Sequence, residues 1–166
     1  MIIGIGGVSR AGKSTLAEKL KKYFEKSRKS VHIFCQDDFV KPVISLAMVE
    51  GVPDWERPST IKWDNLMSAM ERSKADVKIV EGLFAFYAAS IRSEYDKKIF
   101  VELERTTFES RKSKDKRWAE EPEWYANHVW KSYLKYGQRK GPEEEYITVS
   151  GEVDFNIKKV VTDLEL

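Results

Sequence analysis

Gly7-Val8-Ser9-Arg10-Ala11-Gly12-Lys13-Ser14 meets the spacing G-x-x-x-x-G-K-[ST] at every specified position. The chemistry this pattern points to is the binding of phosphate. Its glycines let the backbone turn so that several N–H groups face one centre, and a helix starting directly afterwards adds partial positive charge there. In such a cradle Gly7, Ser9, Ala11, Gly12 and Thr15 surround phosphate oxygens. Lys13 reaches the β- and γ-phosphates, and the Ser14 hydroxyl takes one position on Mg²⁺.

Further along the chain lie groups that complement a phosphate cradle. Asp37 and Asp38 follow an apolar run, so they emerge at a strand's carboxyl end, where open α/β sheets bind ligands. We read Asp37 as the carboxylate that accepts a proton from an attacking hydroxyl or helps hold Mg²⁺, and Asp38 as a turn or helix cap. Glu81, followed by Gly82, ends another apolar run and stands where a second acid associates with the metal, through water. Trp55-Glu56-Arg57-Pro58 puts an aromatic ring, an acid and a base together in a proline-interrupted loop suited to gripping a substrate. Five of the seven residues in 111–117 are Lys or Arg, with Trp118 next. Beside a phosphate cradle this run reads as a lid whose Arg111, Lys112 and Lys116 fold over the transferred group. No cysteine or carboxylate lies three or four residues from His128, and we read it as structural or as a contact with a ligand edge, and not as a base.

These residues need a scaffold of strands and helices, and the hydrophobic pattern supplies one. Strands are expected at 1–5, 31–35, 76–82, 98–103 and 145–149. A helix from Ser14 carries Leu16, Leu20, Tyr23 and Phe24 on one face, and another carries Trp63, Leu66, Met67 and Met70. Further helices are expected over 125–136, with Tyr125, Val129, Tyr133 and Tyr136 in one stripe, and near the end through Ile157, Val160, Val161 and Leu164. Residues 40–62 are broken by Pro42, Gly51, Pro53 and Pro58, leaving room for a short helix at 43–49. Strand, phosphate loop, helix, strand describes an α/β phosphate-loop (P-loop) fold with a parallel sheet.

Composition narrows the class further. With 166 residues the chain suits a single domain, 1–166, with a substrate-binding insertion at about 37–62 and a lid at about 105–124. Hydrophobic residues at 42% and charged residues at 34% are ordinary for a soluble globular protein. A net charge of +2 argues against bulk electrostatic binding of nucleic acid. Cys35 is the single cysteine, so no internal disulfide forms, and a cytoplasmic setting without membrane insertion is expected.

Several of these stretches together resemble the P-loop nucleoside kinases of the uridine kinase-like group, and within it the nicotinamide riboside kinases. The resemblance rests on Ile3-Gly4-Ile5-Gly6-Gly7-Val8 leading into Gly12-Lys13-Ser14-Thr15-Leu16-Ala17, on Gln36-Asp37-Asp38-Phe39 with Lys41-Pro42, and on Glu81-Gly82. His128-Val129-Trp130 with Tyr133-Leu134-Lys135-Tyr136 resembles nicotinamide riboside kinase more than uridine kinase. It implies a five-stranded parallel sheet flanked by helices, ATP and Mg²⁺ as cofactors, and transfer of phosphate to a nucleoside 5′-hydroxyl. By the same resemblance Asp37 is the proton acceptor and, with Ser14, faces Mg²⁺; Asp37, Phe39, Val40, Trp55, Glu56 and Trp118 line the acceptor site. Glu56 stands where the group usually has an aspartate clasping the ribose 2′- and 3′-hydroxyls, and lysines replace part of an arginine-rich lid. A lysine offers a point charge where arginine offers a bidentate fork, so the phosphate clamp is looser. Uridine, cytidine or pantothenate remain alternative acceptors, and a nucleotide-binding protein without turnover is the alternative of another class. A GTPase-like switch would need N-K-x-D and D-x-x-G, and the chain has neither. Oligomeric state is left open.

Overall fold

The computed structural model describes residues 1–115 and 121–165. Its framework is built from β1 (Ile2–Gly7), α1 (Lys13–Lys26), β2 (Val31–Cys35), the hairpin strands β3 (Met48–Val49) and β4 (Val52–Pro53), α2 (Trp63–Arg72) and β5 (Val77–Glu81). It continues through α3 (Ala89–Arg92), β6 (Lys97–Glu102), α4 (Arg105–Ser113), α5 (Glu123–Tyr136), β7 (Tyr146–Ser150) and α6 (Ile157–Asp163). The five long strands form one parallel sheet in the order β2-β5-β1-β6-β7, as expected.

Strand position follows hydrophobic pattern. The central strands β1 and β5 are apolar almost throughout and buried on both faces, whereas the edge strands β2 and β7 alternate between covered and open positions. On β1, side chains at Gly4 and Gly6 would collide with the rings of Tyr95 and Phe86, so those glycines let two aromatics lie directly on the sheet. Leu16, Leu20 and Phe24 form the buried face of α1, which joins a single core with Ile3, Ile5 and Val80. After β1 the chain builds β2 and β5 on one side of it and β6 and β7 on the other. That reversal opens a crevice at the carboxyl ends, beside β1.

The insertion after β2 departs from expectation. Of the short helix expected at 43–49, only Val43–Ser45 forms, as a turn of 3₁₀ helix, and residues 48–53 form a small antiparallel hairpin instead. Glu50 and Gly51 both have positive φ (45° and 83°), the geometry of a tight hairpin turn, which outweighs the weak local helical tendency. The insertion closes at its neck: Val40 bridges Ile61, Lys41 N–H donates to Thr60 C=O and Lys62 N–H to Phe39 C=O, both at 2.8 Å. The insertion thereby leaves and re-enters the fold at one neck just beyond the end of β2. Part of the expected lid is regular helix, because α4 runs to Ser113 and contains Arg111 and Lys112.

Candidate active site

The phosphate loop spans the turn from β1 to α1, and its glycines are required by geometry. Gly7 has φ +146°, and a Cβ there would lie 2.4 Å from the Val101 carbonyl oxygen. Gly12 begins α1 from the left-handed region with φ +96°, which aims the first-turn N–H groups back at the loop. Arg10 also takes a positive φ of 65°, uncommon for a residue with a side chain. The Lys13 ammonium is held inside the turn, where it donates to the Val8 carbonyl at 2.9 Å, so a cation is set at the centre of the cradle. Ser9, Ala11 and Thr15 lie on the same turn and first helical residues, as expected.

Next to the cradle, Ser14 Oγ donates to Glu81 Oε1 at 2.7 Å. Glu81 is almost fully buried and is paired in register with Ile5 of β1 and Cys35 of β2. Burial, reinforced by the negative charges of Glu81 and Asp37, pushes the Cys35 thiol up to about 12. One hydroxyl and two carboxylates therefore share a small region at the carboxyl ends of β1, β2 and β5. That is a hard-oxygen set of the kind Mg²⁺ accepts while keeping waters and phosphate oxygens as its other ligands. Among the described residues no cluster of three or more acidic, histidine or cysteine side chains forms a closed metal cage.

The second half of the site is built by the insertion and α5. Asp54 is fully buried, and its carboxylate accepts from His128 Nε2 at 2.8 Å, from the Glu56 N–H at 3.1 Å and from Arg57 Nε. Burial would raise this carboxyl, but the His128 and Arg57 hydrogen bonds, with the Glu56 N–H, hold it below the usual carboxylate range. Glu56 follows immediately: Ser132 Oγ donates to its backbone carbonyl, and Tyr125 Oη lies 3.4 Å from its Oε1. Burial pushes the Glu56 carboxyl up to about 7; Lys112 and His128 pull it down, while Asp37 and Asp54 push it further up. Asp37 thus lies within the electrostatic reach of Glu56. Trp55 stays 39% exposed at the rim, free of the core role that Trp63 fills by packing on the core and donating to Pro58 C=O. Trp124, on the first turn of α5, lies edge-on to His128 and brings a second indole to this side.

Phe39 and Val40 form the neck of the insertion, and Phe39 also lines a shallow cavity of about 430 Å³ with Asp38, Asn65, Ser68 and Arg72. Of the lid cations expected to fold over the transferred group, Arg111 and Lys112 are described, and they go different ways. Arg111 donates to the carbonyls of Arg10 (3.1 Å) and Gly151 (2.9 Å), so it braces the phosphate loop from behind. Lys112 pairs with Glu121 at 2.8 Å and lies over the Tyr125 ring, which turns it toward the Glu56 side. Lys116 and Trp118 lie outside the described residues.

Sequence reasoning missed Asp54, Tyr125 and Ser132, and it found no partner for His128. The partner sits 74 positions away, outside any helical spacing. A signal was present on α5 itself, where Tyr125, His128 and Ser132 place three polar groups on one face at intervals of three and four. Asp54 carried no such signal.

No family model matches the chain. Human nicotinamide riboside kinase 1 is 27% identical over 156 residues, covering 82% of this chain and 76% of that protein. Uridine-cytidine kinase B of Dictyostelium discoideum is 27% identical over 139 residues, covering 67% of this chain and 56% of that one. Shikimate kinase from Aquifex aeolicus superposes with a TM-score of 0.57 at 18% identity, covering 99% of this chain and 96% of that one. The fold is that of the P-loop kinases, and the sequence similarity is to nucleoside kinases.

Proposed function

We propose that this chain is an ATP-dependent kinase that transfers the γ-phosphoryl group to the 5′-hydroxyl of a ribonucleoside, with nicotinamide riboside as its acceptor. The observation that carries the reading is the pairing of a phosphate cradle with a carboxylate and indole loop across the Asp37 strand end. Sequence similarity to nicotinamide riboside kinases supports the acceptor class. So does the loop's chemistry: an accessible Trp55 face beside acidic groups favours a flat cationic ring such as a pyridinium.

In this reading Lys13 and the loop N–H groups hold the β- and γ-phosphates and orient the γ-phosphorus toward the acceptor. Ser14, with Asp37 and Glu81 nearby, would hold Mg²⁺, whose charge would offset that of the phosphate oxygens. Glu56 accepts hydrogen bonds from the ribose hydroxyls, and Trp55 covers the base. Asp37 takes the proton from the 5′-hydroxyl as its oxygen attacks phosphorus and the bond to the ADP leaving oxygen breaks. The test is a phosphotransfer assay with Mg²⁺ and ATP or GTP against nicotinamide riboside, uridine, cytidine and pantothenate. Phosphorylated nicotinamide riboside is the expected product. Preference for uridine or cytidine would move the acceptor assignment, and transfer to none of the four would sink the kinase reading.

A further inference from the structure

The residue that holds the acceptor loop in shape is neither of the two that would touch the acceptor. Asp54 precedes Trp55 and Glu56, and its carboxylate is entirely removed from solvent. A carboxylate in that position is costly unless each oxygen is met by donors. Here both are met: Oδ1 accepts from His128 Nε2 at 2.8 Å and from the Glu56 N–H at 3.1 Å, and Oδ2 accepts from Arg57 Nε. Its own N–H donates to Ala47 C=O at 2.8 Å, which ties the same residue to the start of the hairpin. One side chain thus joins the hairpin, the Trp55-Glu56 turn and α5.

The donors differ in what they contribute. Arg57 is about half exposed (49%) and lies three residues away, so it neutralises charge without fixing the loop to anything distant. His128 is the long-range tie: it lies on α5, is only 24% exposed, and its ring packs against both Trp124 and Tyr125. The same face of α5 supplies Tyr125 to the Glu56 carboxylate and Ser132 to the Glu56 carbonyl. Three side chains of one helix therefore grip two loop residues, Asp54 and Glu56, which flank Trp55. Without His128, Glu56 would keep its contacts to Tyr125 and Ser132, but the residue before it would be a buried carboxylate missing a donor.

We propose that Asp54, paired with His128, is a positioning residue for the acceptor site, locking Trp55 and Glu56 onto α5 so that the nucleoside meets a preformed grip. This rests on the kinase reading above for what the grip holds, but the lock itself does not. Its effect is confined to the acceptor side, because the phosphate loop shares no hydrogen bond with Asp54 or His128 among the described residues.

The test compares His128→Phe, which keeps a ring beside Trp124 and Tyr125 but removes the donor, with His128→Gln, which restores a donor. Asp54→Asn serves as the second probe, since its amide would set an N–H against Arg57. Two quantities are measured on the full chain: hydrogen exchange at the Glu56 amide without substrates, and steady-state KM for ATP and for the best acceptor. For His128→Phe and Asp54→Asn we expect Glu56 exchange about tenfold faster and acceptor KM raised about tenfold. ATP KM should stay within about twofold, and His128→Gln should recover most of the acceptor loss. Unchanged exchange in both probes would overturn the lock. Faster exchange with unchanged acceptor KM, or ATP KM rising in step with acceptor KM, would overturn the positioning role. A wild-type chain inactive on every acceptor overturns the kinase reading instead, and the exchange measurement still decides the lock.

Discussion

The two sides proposed for this site, donor and acceptor, are made in opposite ways. The phosphate loop is contiguous, running from Gly7 to Ser14, and takes its shape from glycine geometry and a helix start. The acceptor grip is assembled from residues 69 to 76 positions apart, held by side-chain hydrogen bonds between a loop and α5. A contiguous cradle is stiff because backbone dihedrals define it. A grip made by tertiary contacts can change when one side chain changes, so specificity is more easily altered there than phosphate binding is.

The contrast can be broken at several points, and the largest expected effect lies where the two sides meet. Replacing Asp37 by Ala should lower kcat about 10²- to 10⁴-fold, the range for a positioned general base, with ATP affinity within about twofold of wild type. Rapid-quench phosphotransfer and nucleotide titration measure the two quantities separately; an unaltered kcat removes Asp37 from the chemistry. Next in size, Glu56→Gln should raise acceptor KM about 10- to 100-fold by removing charge-assisted hydrogen bonds to hydroxyls, leaving ATP KM unaffected. Equal losses for both substrates would show that the two sides are not separable.

pH sharpens the same distinction. Because burial holds the Glu56 carboxyl near 7, acceptor kcat/KM should rise with pH up to about 7 and then level, falling about tenfold per unit below it. ATP KM should be flat over the same interval, and Glu56→Gln should abolish the acceptor dependence. The linked stability effect has the opposite sign. A carboxyl raised from 4.5 to about 7 by folding binds its proton more tightly in the native state, so this group's contribution to stability is present below about pH 4.5 and is lost as pH climbs through 7. Thermal melts of wild type and Glu56→Gln across that range read it directly.

The smallest expected change is at the rim. Trp55→Ala should raise acceptor KM about fivefold, corresponding to about 1 kcal/mol for a stacked or cation–π contact at a partly open position. If the effect is larger for a cationic ring than for uridine, the electrostatic part of the contact is measured by the difference.

Much of the architecture was legible before any coordinates. The strands at the sheet's centre are apolar runs, the face of α1 repeats at helical spacing, and Gly7 to Ser14 is a local pattern whose backbone requirement only glycine satisfies. That Glu81 and Asp37 stand at neighbouring strand ends was legible for the same reason, since strand ends converge in a parallel sheet. The hairpin at 48–53 was not, because a turn at Glu50 and Gly51 with so few flanking strand residues leaves no periodicity to read. His128 was misjudged as partnerless because its acid comes from a loop with no local signature. Arg111 and Lys112 read as one cationic run, yet adjacent residues on a helix point about 100° apart, and the fold sends one behind the phosphate loop and the other toward Glu56.

By itself, then, the sequence determined the parallel sheet, the phosphate cradle and the acids at its strand ends, because each depends on hydrophobic period or backbone geometry within a short window. Only the tertiary structure decided how the acceptor side is held: which acid meets His128, which helix face grips Glu56, and how far burial raises that carboxyl. Those depend on where two distant segments pack, and on the loss of solvent around a charge, neither of which is encoded in any local spacing.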